Sequence, residues 1–359
     1  HMGVPGGIEA GEPGGDDPDC WDWTWNVIGP ELYSPGTLEL YTPNRAHFGS
    51  NFAAMRIPED RVSTQTDVMA TTQAIAILEN RAGTPPEQSN RTKSKPDGPF
   101  FLAVGLVRPH VPLIAPQHCF DLYDAAAMPL PEVPEGDLDD IPPPARLMDN
   151  AKRYHMDEAN QRNALAAYFA CVTFMDEQVG RLLDALDRLD LRKDTIVIFL
   201  SDHGWNLGQH HCWQKLSLWE DSTRVPLIIS APEMKGSAGK TARGIVETVD
   251  LYPTVVDLCG LAAEAPATLQ GISLRPLLEN PERSDWEHTA YTVTHQKGES
   301  IRRGPWRYSI WGQAGEELYN HDSDPGEFTN LAQNPEYTSV LESLRTELDR
   351  KRRHSLGKD

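Results

Sequence analysis

The chain has 359 residues, a formal net charge of −20 and 39% apolar residues. That length and apolar share allow one large domain, or a large and a small one, with a sizeable core, and they exclude global disorder. The acidic balance argues against nonspecific nucleic-acid binding but leaves an anionic substrate open, because a local basic pocket or a bound metal reverses the local field.

Five cysteines, Cys20, Cys119, Cys171, Cys212 and Cys259, are widely spaced and odd in number, so no disulfide framework is read. Cys171 and Cys259 fall in or near apolar helical patterns, which predicts buried thiols. No apolar run reaches the roughly 18 residues of a membrane-spanning helix, and no signal peptide is read.

Residues 1–98 are rich in Gly, Pro, Asn and charge, with one helical pattern at Val68–Leu78 and a polar loop at Arg81–Gly98 that holds a sequon at Asn90. Pro99–Leu106 is a short continuous apolar run and predicts a strand buried on both faces. Pro112 to Pro144 is proline-heavy and predicts irregular structure. From Asn160 to Leu189, the residues Leu165, Tyr168, Phe169, Val172, Met175, Val179, Leu182, Leu183 and Leu186 recur at three and four residues, predicting a long helix with one apolar stripe.

Thr195–Leu200 and Val225–Ser230 predict two further buried strands. A helix follows, capped by Asp250 and ended by Gly260. Strands separated by helices imply an α/β sheet with helices on its faces. After about residue 280 the pattern changes to short antiparallel strands (Tyr291–Thr294, Ser300–Arg302 and Trp306–Trp311) and a terminal helix over Pro335–Arg353. The expected division is 1–280 and 281–359.

Ser201-Asp202-His203-Gly204 directly follows a predicted strand, where open α/β sheets place their ligands. Asp offers a hard oxygen and His a nitrogen, so the pair suits one divalent cation. An Asp-x-Gly turn with a local backbone bond accounts for the same residues. His210-His211-Cys212 invites a zinc reading, but adjacent side chains diverge and no second ligand pair stands at helical spacing. Lys215, between Trp213 and Trp219, is either a solvated lysine or an anion contact. His110, at the end of the first predicted strand, reads as a structural histidine or a site residue. Two strand ends each followed by a histidine predict that His110, Asp202 and His203 meet at one sheet edge.

Three blocks occur in order over most of residues 99–335: Pro99–Pro112, which ends in Arg-Pro-His-Val-Pro; Thr195–Lys215 with Ser-Asp-His-Gly-Trp-Asn-Leu-Gly-Gln-His; and Leu318–Ala332 with Asp-Pro-Gly-Glu-Phe-Thr-Asn-Leu-Ala. Together they resemble the sulfatase family of the alkaline-phosphatase-like superfamily, in particular its iduronate-2-sulfatase branch and bacterial relatives. The resemblance implies an α/β fold with a mostly parallel or mixed sheet flanked by helices, and a small C-terminal antiparallel sheet with a helix. It implies hydrolysis of sulfuric esters on a sulfated sugar or glycosaminoglycan-like polysaccharide, and a secreted or periplasmic location. Asp202 and His203 would be Ca2+ ligands, and His110 and Lys215 would contact the sulfate. His1 stands where the family has an active-site histidine, or is a residue left by cloning. Gln209 and His211 depart from the usual Glu and Gly of the second block, which touches residues around the metal pair rather than the pair. Asp16-Asp17-Pro18 follows a Gly-rich loop and does not match the family's N-terminal aspartate pair.

The family's nucleophile is a formylglycine made from Cys in a Cys-x-Pro-Ser-Arg motif, and none of the five cysteines stands in that pattern. The expectation is that the family's N-terminal portion lies outside this chain, that the chain alone is inactive, and that it associates with the missing segment. A phosphodiesterase or phosphonate hydrolase of the same superfamily, or a catalytically dead carbohydrate-binding fragment, would carry the same C-terminal blocks.

Overall fold

Among the described residues, three strands and three α-helices build the first of two compact units, which comprises residues 1–130 and 151–194; the second comprises residues 131–150 and 195–359. The structure is a computed structural model that describes residues 20–27, 29–30, 33–42, 52–79, 98–146, 151–294 and 297–357. The candidate histidine His1, the Asp16-Asp17-Pro18 triplet and the Asn90 sequon lie outside the described residues.

In the first unit, β1 (Thr37–Leu40), β2 (Ala53–Ile57) and β3 (Leu113–Pro116) form a mixed sheet, with β1–β2 antiparallel and β2–β3 parallel. Met55, Ile57 and Ile114 make its buried apolar cluster. Three helices accompany it: α1 (Thr66–Glu79), α2 (Gln117–Phe120) and α3 (Glu158–Arg188).

The 31-residue helix α3 matches the predicted span to within two residues at each end. Its start is fixed by Asp157, whose carboxylate accepts the backbone N–H of Asn160 at 2.8 Å. The buried side departs from the expected stripe. Ala164, Ala167, Cys171, Phe174 and Gln178 are buried, whereas Phe169 is 40% exposed. Small side chains win this face because α3 packs on α1, α2 and β3, and short side chains let backbones approach closely.

The second unit holds β4 (Val197–Leu200) paired antiparallel with β7 (Leu227–Ser230), and a small ribbon of β5 (Asn206–Leu207) and β6 (Trp213–Gln214). Helices α4 (Glu220–Thr223), α5 (Leu251–Leu258) and α6 (Arg275–Glu279) come from its middle. The C-terminal part is an antiparallel meander: β8 (Thr289–Val293), β9 (Glu299–Arg303), β10 (Trp306–Ile310) and β11 (Glu316–Asn320). Helix α7 (Thr338–Ser355) lays Leu341, Leu344 and Leu348 onto Ile301, Tyr308 and Leu318 of that sheet. The period of these leucines is helical and the sheet side is apolar, so the meander is closed on one face.

Four local expectations are corrected. Pro99–Leu106 forms no strand, and Phe101 is 72% exposed. A strand needs a neighbour's edge to take its backbone groups. Here the following N–H groups of Val107 and Arg108 go to the Asp67 carboxylate, at 2.7 and 3.0 Å. Cys259 is exposed rather than buried, because it lies at the end of α5 just before the left-handed Gly260. Asp250 precedes α5 without capping it through its side chain. Its carboxylate instead accepts from the backbone N–H of Glu247 at 2.8 Å and of Ile272 at 2.9 Å. The proline-heavy stretch Pro112–Pro144 also contains β3 and α2, since the four residues Leu113–Pro116 are fully buried beside β2.

Candidate active site

In the second unit, Ser201–Gly204 leaves β4 in a tight turn. Ser201 Oγ donates to the His203 carbonyl at 2.8 Å, and the His203 N–H donates to Asp202 Oδ1 at 3.0 Å. Gly204 is required at its position: a Cβ there would sit 2.0 Å from the Asp221 carbonyl oxygen, where the two backbones approach closely. The turn is pinned to α4 by the bond from Gly204 N–H to the Ser222 carbonyl, at 2.9 Å.

That turn gives His203 a defined tautomer. Nδ1 lies 2.8 Å from the Gly204 carbonyl, so it carries the proton, and Nε2 keeps its lone pair. Lys215 Nζ lies 3.0 Å from Nε2 and donates to it. The same ammonium stands 5.7 Å from the centre of the Trp205 ring, and the Trp205 and His203 rings stack. Partial burial depresses the Lys215 pKa, with Asp202 opposing the shift. The Asp202 carboxylate is turned to solvent, with Oδ2 3.6 Å from His203 Nε2. The two atoms are spaced as neighbouring ligands of one cation are, and the Nδ1–H bond to a carbonyl is the arrangement that orients a metal-binding imidazole.

Lys215 sits in a strained loop. Gly208, His210, His211, Gln214 and Leu216 all have positive φ, between 49° and 113°. Four of them carry side chains, and such strain persists only where the surroundings over-determine it. The clamps are visible. Asn206 is buried and donates to Ser222 Oγ at 2.9 Å, and Leu207 N–H donates to the Gln209 side chain at 2.6 Å. His210 is buried, stacks on Trp219 with ring centres 4.0 Å apart, and holds Asp137 Oδ2 at 3.0 Å through Nδ1. His210 and Cys212 are spent on these contacts: Cys212 Sγ donates to the His210 carbonyl. His211 is exposed.

His110 lies in the first unit. Its Nδ1 is 2.6 Å from the Val111 carbonyl, and its backbone N–H donates to the Val107 carbonyl at 2.9 Å. Asp67, buried in α1, holds the two residues Val107 and Arg108 ahead of it. Asp67 and Asp137 were not found from the sequence. Each is a single acidic residue acting on a segment 40 and 73 positions away, and neither leaves a local pattern.

The sulfatase family profile matches residues 86–261, and a profile described as N-sulphoglucosamine sulphohydrolase, C-terminal, matches residues 208–354. A sulfatase of Formosa agariphila is 34% identical over 69% of this chain and 49% of its own length. The human iduronate 2-sulfatase is 35% identical over 77% of this chain and 63% of its own length. A choline-sulfatase of Rhizobium meliloti is 33% identical over 76% of this chain and 54% of its own length. The chain thus spans about half the length of several curated relatives it matches.

Among solved structures, a phosphonate monoester hydrolase of Silicibacter pomeroyi aligns with a TM-score of 0.68 at 24% identity, covering 88% of this chain and 65% of that one. A putative sulfatase of Bacteroides thetaiotaomicron aligns with a TM-score of 0.59 at 26% identity, covering 80% and 63%. The α/β fold with its small C-terminal antiparallel sheet is the one these proteins share, and the chain belongs to the sulfatase family.

Proposed function

We propose that this chain serves the hydrolysis of a sulfuric ester on a sulfated sugar, with Lys215 binding the sulfate and Asp202 with His203 holding a divalent cation. The observation that carries the reading is the Lys215–His203 contact of 3.0 Å beside the exposed Asp202 carboxylate. A fixed ammonium at a turn of this kind stabilises negative charge on sulfuryl oxygens, and partial burial strengthens the effect. His110 is proposed as a further sulfate contact on the resemblance of its segment alone.

Calcium is the proposed cation. Asp202 and His203 supply two donors where calcium takes about 6–8, so water, substrate or other residues complete the shell. A cation there would neutralise charge on the ester oxygens. The residues described here bind and orient the sulfate. None of the five cysteines stands in a Cys-x-Pro-Ser-Arg pattern, so turnover needs a nucleophile that they do not provide.

The test pairs two measurements on the whole chain: calorimetry with inorganic sulfate and a sulfated uronate disaccharide, and a fluorogenic sulfate-ester assay with added calcium. Saturable binding that is lost in Lys215→Met, with no turnover, is the expected result. Absence of binding to either ligand overturns the reading. The fold likeness to a phosphonate monoester hydrolase favours one alternative substrate, a phosphonate monoester, and tighter binding of that ligand than of sulfate would select it.

A further inference from the structure

A second group of metal-capable side chains lies in the first unit, built from α2, α3 and the turn at Glu59. His118 and Cys119 are adjacent on α2, and Glu177 projects from α3. His118 Nε2 is 2.8 Å from Glu177 Oε1, and Cys119 Sγ is 3.7 Å from the same oxygen. All three ligand atoms fall within 4.8 Å of one another. The other imidazole nitrogen, Nδ1, is 2.8 Å from Glu59 Oε1. Cys119 is buried, while His118 and Glu177 face solvent.

We propose that His118 Nε2, Cys119 Sγ and Glu177 Oε1 form a site for a zinc-like divalent cation, with Glu59 orienting the imidazole from behind. The donor set is the argument. One thiolate, one imidazole and one carboxylate match a borderline cation such as Zn2+ or Co2+, and not the hard Ca2+ that oxygen donors select. Ligand bonds of about 2.0–2.3 Å at tetrahedral angles put donor atoms roughly 3.3–3.6 Å apart. The sulfur–oxygen separation of 3.7 Å is already close to that, and the nitrogen–oxygen pair at 2.8 Å needs to open by roughly half an ångström. A carboxylate on the far nitrogen of a liganding histidine is the arrangement that fixes its tautomer and raises its basicity. Three protein donors leave a fourth position on the solvent side for water.

Without metal, the same groups satisfy one another. Both imidazole nitrogens lie against carboxylate oxygens, and the thiol donates to Glu177. Entry of the cation therefore displaces the proton on Nε2 and the thiol proton, and both leave to solvent. Affinity must rise with pH as these protons are released. This site is independent of Asp202 and of the sulfatase reading.

The experiment is a Co2+ titration of the whole chain at near-neutral pH, followed by absorption. The expected result is one tightly held equivalent with visible bands of tetrahedral Co2+ and a near-ultraviolet sulfur-to-metal charge-transfer band. The band should be displaced by Zn2+ but not by Ca2+. Cys119→Ala should abolish it. Glu177→Gln, at a solvent-facing position where folding is not at stake, should weaken binding about tenfold or more, and Glu59→Gln roughly tenfold. The other metal-capable groups among the described residues contain no cysteine, so the band reports on Cys119. No charge-transfer band in the native chain, or a band that persists in Cys119→Ala from the exposed Cys20 or Cys259, overturns the proposal.

Discussion

Lys215 Nζ donates to His203 Nε2 across 3.0 Å, and His203 Nδ1 is committed to the Gly204 carbonyl. The imidazole is therefore a neutral acceptor aimed at an ammonium. Replacing Lys215 by Met removes the only charge in that pair while keeping much of the side chain's bulk. A charge-assisted bond of this kind contributes about 1.5–3 kcal/mol, so sulfate affinity should fall roughly tenfold or more. Lys215→Arg should recover part of it, because charge is restored but the compact geometry is not. Calorimetric titration with sulfate reads both variants. An unchanged dissociation constant in Lys215→Met would remove Lys215 from the site.

Much of this site was legible because Ser201–Lys215 is a contiguous block, and a contiguous block carries both its residue types and its order. The long helix was legible for a similar reason, since a 31-residue period is hard to miss. What failed was set by partners. Pro99–Leu106 is apolar enough for a strand, yet strand formation depends on an adjacent edge that no periodicity encodes. The buried face of α3 was misread because Ala164, Ala167 and Cys171 are too small to dominate a hydrophobic pattern, although close helix packing favours them. The clamps Asp67 and Asp137 act over 40 and 73 positions and could only be seen in three dimensions.

The loop that carries Lys215 is held by a buried pair, Asp137 Oδ2 with His210 Nδ1 at 3.0 Å. Both side chains are essentially inaccessible. Asp137→Ala leaves the imidazole nitrogen buried without an acceptor, which costs about 1–3 kcal/mol. Asp137→Asn keeps an acceptor oxygen at the same place and should cost less. Urea unfolding followed by tryptophan fluorescence gives both values. If Asn and Ala are equally destabilising, charge rather than the hydrogen bond holds His210. If neither matters, the pair does not fix the loop.

Glu327 is the centre of a second buried charge group. Its Oε1 lies 2.6 Å from Arg307 Nε and 2.9 Å from His321 Nε2, and its Oε2 accepts the Glu220 N–H at 2.7 Å. Arg307, itself buried, also pairs with Glu220. Arg307 first, then His321, hold the Glu327 carboxyl below its ordinary range against the opposing effect of burial, the largest single influence. Glu327→Ala leaves a buried guanidinium with Glu220 as its one remaining carboxylate partner, so a loss of about 3–5 kcal/mol is expected. Thermal unfolding of the whole chain should show a lower midpoint. A change within experimental error would mean that water reaches Arg307 freely.

The Glu247–Asp250–His288–Lys351 group ties α7 and β8 to the segment before α5, and it makes stability fall on the alkaline side. His288 Nε2 lies 3.2 Å from Asp250 Oδ2 and 3.1 Å from Glu247 Oε2, and Lys351 Nζ lies 2.6 Å from Glu247 Oε2. Asp250 first, then Glu247, raise the His288 pKa from 6.5 to about 9, against burial and Lys351. The folded state therefore binds this proton more tightly than the unfolded chain. The stabilisation is complete below about pH 6.5 and is lost as pH rises through about 9. A shift of this size corresponds to about 3 kcal/mol at most. Glu247 and Asp250 are both lowered despite burial, so their contribution runs the other way: it is present above the ordinary carboxylate range and fades as pH falls through their depressed values. Unfolding free energy measured in urea between pH 6 and 10 should decline for the native chain. It should decline less for His288→Gln, which has no proton to lose. Parallel curves for the two proteins would show that His288 titrates alike in the folded and unfolded chains.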